Sequence, residues 1–166
     1  MPMSAIERRE EIGALRSVGY EKLDIVRVML AEAEREADGP IDRLRSFVDI
    51  YLAAETDDET AEAQRAMIDL RAQAVSQPRF RAEFTRIDDH LRDRLVDAIA
   101  EGIETGAVDD RIDPETAGTW MLATLTGAML QRHTADHQVV MPVRRILHTR
   151  LDEFTATTDT FEEDTN

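Results

Sequence analysis

Apolar residues recur along this chain in steps of three and four, and the pattern is clearest between residues 78 and 133. Phe80, Phe84, Ile87, Leu91, Leu95, Ile99 and Ile103 draw one stripe along a helix whose other faces are laden with charge. The helix that follows, from Asp113 to His133, is different: no charged side chain stands between Thr116 and Gln131. A helix apolar all round is a buried helix, and in a chain this small a second copy of the protein is one way to cover every side. Shorter stripes lie on either side. Ile41, Leu44, Phe47, Val48, Tyr51 and Leu52 share one register; Ala63, Met67, Leu70 and Ala74 another; Val143, Ile146, Leu147, Leu151 and Phe154 a third. Near the front, Leu23, Val26, Met29, Leu30 and Ala33 fall on one side of a charged segment that needs a partner to lie on. No β-branched alternating run of useful length occurs, so the pattern predicts an all-α helical bundle, preceded by a short two-helix N-terminal segment.

Punctuation residues set the boundaries. Ser4 with Glu7 reads as a capping box, and Gly19 breaks the front segment in two. Asp38-Gly39-Pro40 ends one helix and begins another, which divides the chain into a charged front part, residues 1–38, and a main domain, residues 39–156. Asp57 or Asp58 caps the next helix, Gln77-Pro78 turns into the long one, and Gly106 closes it. Asp113-Pro114 is an N-cap with Pro at the first helical position, residues 133–140 form a connector, and Pro142 starts the final helix. The last ten residues, TTDTFEEDTN from 157 to 166, read as an acidic, disordered tail.

Composition narrows the setting. The 166 residues fit one domain, there is no cysteine, and nothing reaches the ~20 apolar residues of a membrane span or the core of a signal peptide, which points to the cytoplasm without membrane insertion. Acidic residues number 35 against 20 basic ones, a net charge of -15, and Lys22 is the sole lysine. That balance is similar to the surface style of proteins from salt-loving archaea, where high internal salt screens self-repulsion, so a halophilic source is expected. At low salt such a field repels nucleic acid.

Side chains capable of chemistry do not assemble into a site. His133 and His137, four apart with Asp136 between them, have a metal-binding spacing but no Glu-x-x-His partner on another helix, and read as solvated surface. His90 with Asp93 and the run Asp57-Asp58-Glu59 read as solvated face and cap, and Ser4, Ser17, Ser46 and Ser76 sit in no nucleophile elbow. There is no glycine-rich phosphate loop. The expectation is a non-enzyme with no metal and no cofactor.

Two resemblances add to this reading. Residues 7 to 33, above all Glu7, Arg8, Glu11, Ile12, Gly13, Leu15, Arg16 and Gly19, resemble the ERRREIGxLRxxG stretch of FtsX-type ABC transporter permeases, which lies on the cytoplasmic side between membrane helices. Residues 39 to 155 resemble something else. A long helix opening at Pro78-Arg79-Phe80, a Gly102-Ile103-Glu104-Thr105-Gly106 end, and Asp113-Pro114-Glu115 opening an apolar helix that contains Gly127 are similar to the C-terminal effector-binding and dimerisation domain of TetR-family transcriptional regulators, BetI-like in particular.

That second resemblance implies a homodimer in which helices 113–133 and 142–155 of two subunits form a four-helix bundle, with Leu125, Gly127, Ala128, Leu147 and Leu151 at the interface. It also implies a cavity for a small hydrophobic effector, with Tyr51, Met67, Phe84, Trp120 and Met121 as the large, soft or amphipathic side chains to line it. It further implies a helix-turn-helix ahead of the domain, and here the chain departs from the family pattern. Val18-Gly19-Tyr20 is similar to the start of that motif, but its turn glycine and aromatic end are missing. Residues 1–38 hold 6 basic and 9 acidic side chains, a net of -3, where a groove-binding module should be basic. The expectation is a dimeric small-molecule-sensing domain, a TetR-like regulator or remnant, without its own DNA-binding module. The competing expectation is a permease-associated interaction protein that docks through the FtsX-like segment, and a third is a rearranged fusion whose front part has no role.

Overall fold

The computed structural model describes residues 34–155 together with residue 31. Apart from residue 31, the FtsX-like stretch lies outside the described residues, as do the capping box at Ser4, the break at Gly19 and the acidic tail from residue 157. Residues 34–36 are helical, and after them run α1 Pro40–Tyr51, α2 Asp58–Ala74, α3 Pro78–Glu104, α4 Pro114–Thr134 and α5 Val140–Phe154. The all-α expectation holds, and no strand forms among the described residues.

Local chemistry accounts for the ends. Pro40, Pro78 and Pro114 each sit in a first helical turn, where the missing N–H would have had no intrahelical partner. Asp57 Oδ1 accepts the Thr60 N–H at 2.7 Å, and Asp113 Oδ1 accepts the Thr116 N–H at 2.8 Å, so each carboxylate caps its helix. α3 ends in a Schellman motif. Gly106, at φ 74°, donates to the Ile103 carbonyl and Ala107 donates to the Gly102 carbonyl at 2.8 Å. The chain then runs past Gly102, whose Cβ, were there one, would lie 2.4 Å from Val108 Cγ2. Val108 pairs with Thr155, and Asp109 N–H donates to the Phe154 carbonyl at 2.9 Å, which ties the α3–α4 loop to the end of α5.

The α3–α4 pair is the spine. Gly118 lets the helices close: a Cβ there would meet Val96 Cγ2 at 2.7 Å and the Val96 backbone nitrogen at 3.3 Å. α1 packs on α3, α4 and α5, and fully buried Leu44, Val48, Leu52, Leu95, Ile99, Met121, Leu125, Leu147 and Leu151 fill the space they share. Burying apolar surface of this kind is the main favourable contribution to folding, about 1.5–3 kcal/mol for each large side chain.

One chain covers α4 on one side: Ala117, Gly118, Met121, Leu122, Leu125 and Ala128 face inward, whereas Thr119, Trp120, Ala123, Leu130 and Gln131 are exposed. One boundary is corrected. α5 begins at Val140 rather than at Pro142, because a proline in the first helical turn gives up only a donor that has no partner there.

Candidate functional site

The interior is divided in two. Beside the main core lies a satellite cluster of Leu70 and Ala74 from α2 with Phe84 from α3, flanked by Met67, Phe80 and Ile87; Ile87 also packs against the main core. Polar side chains gather near this boundary. Arg71 of α2 grips Asp88 of α3 with both arms of its guanidinium, at 2.8 and 2.9 Å, and lies 4.5 Å from the centre of the Phe84 ring. The hydrogen bond to Asp88 strengthens the guanidinium's hold on its proton. Tyr51 closes the group from α1: its ring stacks on Phe47 at 6.0 Å, and burial pushes the phenol's pKa up against the opposing pull of Thr126.

Further along α2, Gln64 is buried and meets His133 Nε2 at 2.8 Å. Arg132, whose proton affinity burial lowers, donates to the Ala53 carbonyl and pins the α1–α2 loop to α4. His133 is therefore a half-buried polar contact rather than a solvated residue, and His137 lies beyond the end of α4 in the following loop.

Of the five residues proposed for an effector, Met67 and Phe84 belong to the satellite cluster, while Met121 lies in the main core and Tyr51 packs against it. Trp120 stands apart, 40% exposed on the outward side of α4. Arg71, Asp88, Thr126 and Gln64 were not singled out from the sequence. A search for large, soft side chains passes over them, and the one available signal is a charge beside an apolar position, Arg71 next to Leu70 and Asp88 next to Ile87. A cavity of about 260 Å³ lies elsewhere, between α1 and α3, floored by Leu44, Phe47 and Leu95 and rimmed by the ion pairs Arg43–Glu101 and Arg94–Glu34. It touches none of the five.

The second surface is the outer side of α4 and α5. Trp120 and Leu130 project from α4, Met141 and Ile146 from α5, each 40–48% exposed. Between Thr116 and Gln131 the α4 part of this surface carries no charge. Of the residues proposed for an interface, Leu125, Ala128, Leu147 and Leu151 are buried in the chain's own core, and Gly127 alone is partly exposed, with open space where a Cβ would stand.

Residues 40–156 match the family model of the BetI-type transcriptional repressor, C-terminal domain. The chain belongs to the TetR family, in its BetI-type branch. The matched residues begin at Pro40, two residues beyond the boundary placed after Asp38. The chain is also similar in fold to a crystal structure from Rhodococcus sp. described as a TetR-family transcriptional regulator, with a TM-score of 0.70 and 23% identity over 87% of this chain and 72% of that one. No curated protein matches. None of these comparisons supports the FtsX-like resemblance.

Proposed function

We propose that this BetI-type domain is a homodimeric sensor of small hydrophobic molecules that acts on transcription without catalysing a reaction. The observation that carries it is the uncharged outer face of α4. A helix that has already buried one side in its own chain shows Trp120, Ala123, Gly127 and Leu130 on the other, in a protein where charge is plentiful everywhere else. Exposed apolar surface of this sort marks an association site. A second copy laid on α4 and α5 would cover Trp120, Leu130, Met141 and Ile146, so the seam lies one helical face away from Leu125, Ala128, Leu147 and Leu151.

The effector would enter where α2, α3 and α4 meet, with Phe84, Met67 and Met121 offering apolar contact and Tyr51, Arg71 and Thr126 offering hydrogen bonds. An amphipathic molecule with an apolar body and one polar end fits that set. Residues 1–38, net -3 and without the helix-turn-helix pattern, do not read as a DNA-binding module, and pairing with a regulator that has one is a route by which the domain would reach operators. Among the described residues no helix is long and apolar enough to cross a membrane, in keeping with a site of action in the cytoplasm.

Light scattering in molar salt, combined with a thermal-shift screen of small hydrophobic molecules, tests this. A dimer whose melting temperature rises with particular ligands is the expected result, and a strict monomer indifferent to every ligand would overturn it. The FtsX-like residues 7 to 33 support a second reading, docking on a permease. A pull-down separates the two: recovery of a full-length TetR-type repressor supports the first, and recovery of a membrane permease supports the second.

A further inference from the structure

α2 is fastened to the molecule differently from the other helices. α1 contributes Leu44, Phe47 and Val48 to the main core, and α5 contributes Leu147 and Leu151, whereas the buried apolar residues of α2, Leu70 and Ala74, belong to the satellite cluster. Among the described helices its substantial packing is with α3 and α4. Polar contacts supply much of the rest, namely the two-armed Arg71–Asp88 pair to α3 and the Gln64–His133 contact to α4. Such contacts can be exchanged for water at modest net cost, because water hydrogen-bonds the parted groups, whereas parting a large apolar interface is costly.

The two ends of α2 also differ. At its C-terminal end Arg81 of α3 donates to the carbonyls of Ala74 and Val75, the latter at 2.7 Å, which holds the α2–α3 turn together. At its N-terminal end Leu52 is buried and Arg132 holds the Ala53 carbonyl, so the chain is anchored up to residue 53 and then passes through exposed Ala54 and Glu55 before the Asp57 cap.

We propose that α2 is a lid that opens as a unit about the turn held by Arg81, with residues 54–57 as the flexible strap and the Arg71–Asp88 pair as its latch. Opening splits the satellite cluster, drawing Leu70 and Ala74 of α2 away from Phe84 of α3, and uncovers Asp88 and the face of Phe84, which would give an effector a way in. The proposal deepens the effector reading, but it is decided in the ligand-free protein.

Hydrogen–deuterium exchange of the full chain, read by mass spectrometry on peptides from residues 58–74 and 114–134, tests it. The amides of α2 are expected to exchange at least about tenfold faster than the core amides of α4, since local opening does not require global unfolding. Asp88→Asn should speed α2 by about a further tenfold while leaving α1 and α4 unchanged. Gln64→Ala, which removes the other polar contact, should act in the same direction. Exchange of α2 in step with α4 in the wild type, or variants that speed every helix equally, would overturn the lid. If Asp88→Asn fails to fold, the wild-type comparison and Gln64→Ala still decide. A blank ligand screen leaves this result untouched, and a failed lid leaves ligand binding open to its own test.

Discussion

Gly102 is fixed by its neighbour rather than by its own backbone. It lies inside α3 at helical angles, where alanine would favour the helix by up to ~1 kcal/mol. Yet the position a Cβ would occupy is 2.4 Å from a methyl of buried Val108, which cannot retreat without disturbing the α3–α4 loop and its tie to the end of α5. We expect Gly102→Ala to destabilise the domain by about 1–3 kcal/mol net in urea titrations, the range for overpacking a filled core. An unchanged midpoint would show that the loop gives way. The carboxylates at the caps and loop make a different prediction. Hydrogen bonds from Arg111 hold Asp109 at about 2, below its ordinary 3.8. Backbone and side-chain hydrogen bonding to Thr60 and Thr116 likewise depresses Asp57 and Asp113. A depressed carboxylate stabilises fully above its unfolded pKa, and that share is withdrawn as pH falls through the folded value. The melting temperature should therefore lose these contributions below about pH 4. Asp113→Asn keeps a capping oxygen but cannot titrate, so its acid decline should be shallower than the wild type's; parallel curves would argue against the assignment. The caps were legible in the sequence because an N-cap is a local pattern. Arg71 and Asp88 were not, because their pairing across 17 residues is a property of how two helices meet.

α4 carries the lesson at the next scale. Its lack of charge predicted burial, and the structure divides that burial between the chain itself on one face and open space on the other. The prediction follows from the two faces. Leu125 is fully buried, so Leu125→Glu places an unpartnered charge in the main core and should cost about 3–5 kcal/mol, a large share of the roughly 5–15 kcal/mol that holds an ordinary domain folded. Gly127 meets nothing on the outside, so Gly127→Arg should leave circular dichroism and melting of the fold largely intact while size-exclusion chromatography shows the dimer gone. A dimer that survives Gly127→Arg, or a Leu125→Glu variant that melts where the wild type does, would mean the faces are reversed. The small residues of this helix also divide. Gly118 serves the approach of α3 within the chain, and Gly127 remains for an approach from outside.

Across the whole molecule, electrostatics set the conditions in which the fold works. The ion pairs Arg45–Asp152 and Arg144–Asp49 join α1 to α5, and Arg43–Glu101 joins α1 to α3, all partly exposed. Exposed pairs are worth ~0–1 kcal/mol each and weaken in salt, whereas a net charge of -15 on a chain of 166 residues repels itself throughout. We expect repulsion to dominate, so that the melting temperature rises between low salt and molar sodium chloride. A falling melting temperature would show that the pairs matter more than the net charge.

The sequence alone determined the helices, most of their ends, the BetI-type domain and the unusual neutrality of α4, because stripes, caps and composition are written in near neighbours. Which side of α4 its own chain covers, which residues can meet a second copy, and the polar boundary of Tyr51, Arg71, Asp88 and Thr126 were decided only in three dimensions. A periodic stripe says that a face is apolar, but not whether the same chain or another will cover it. That depends on where the remaining helices stand, and here α1, α3 and α5 pack on one side of α4 and leave the other exposed.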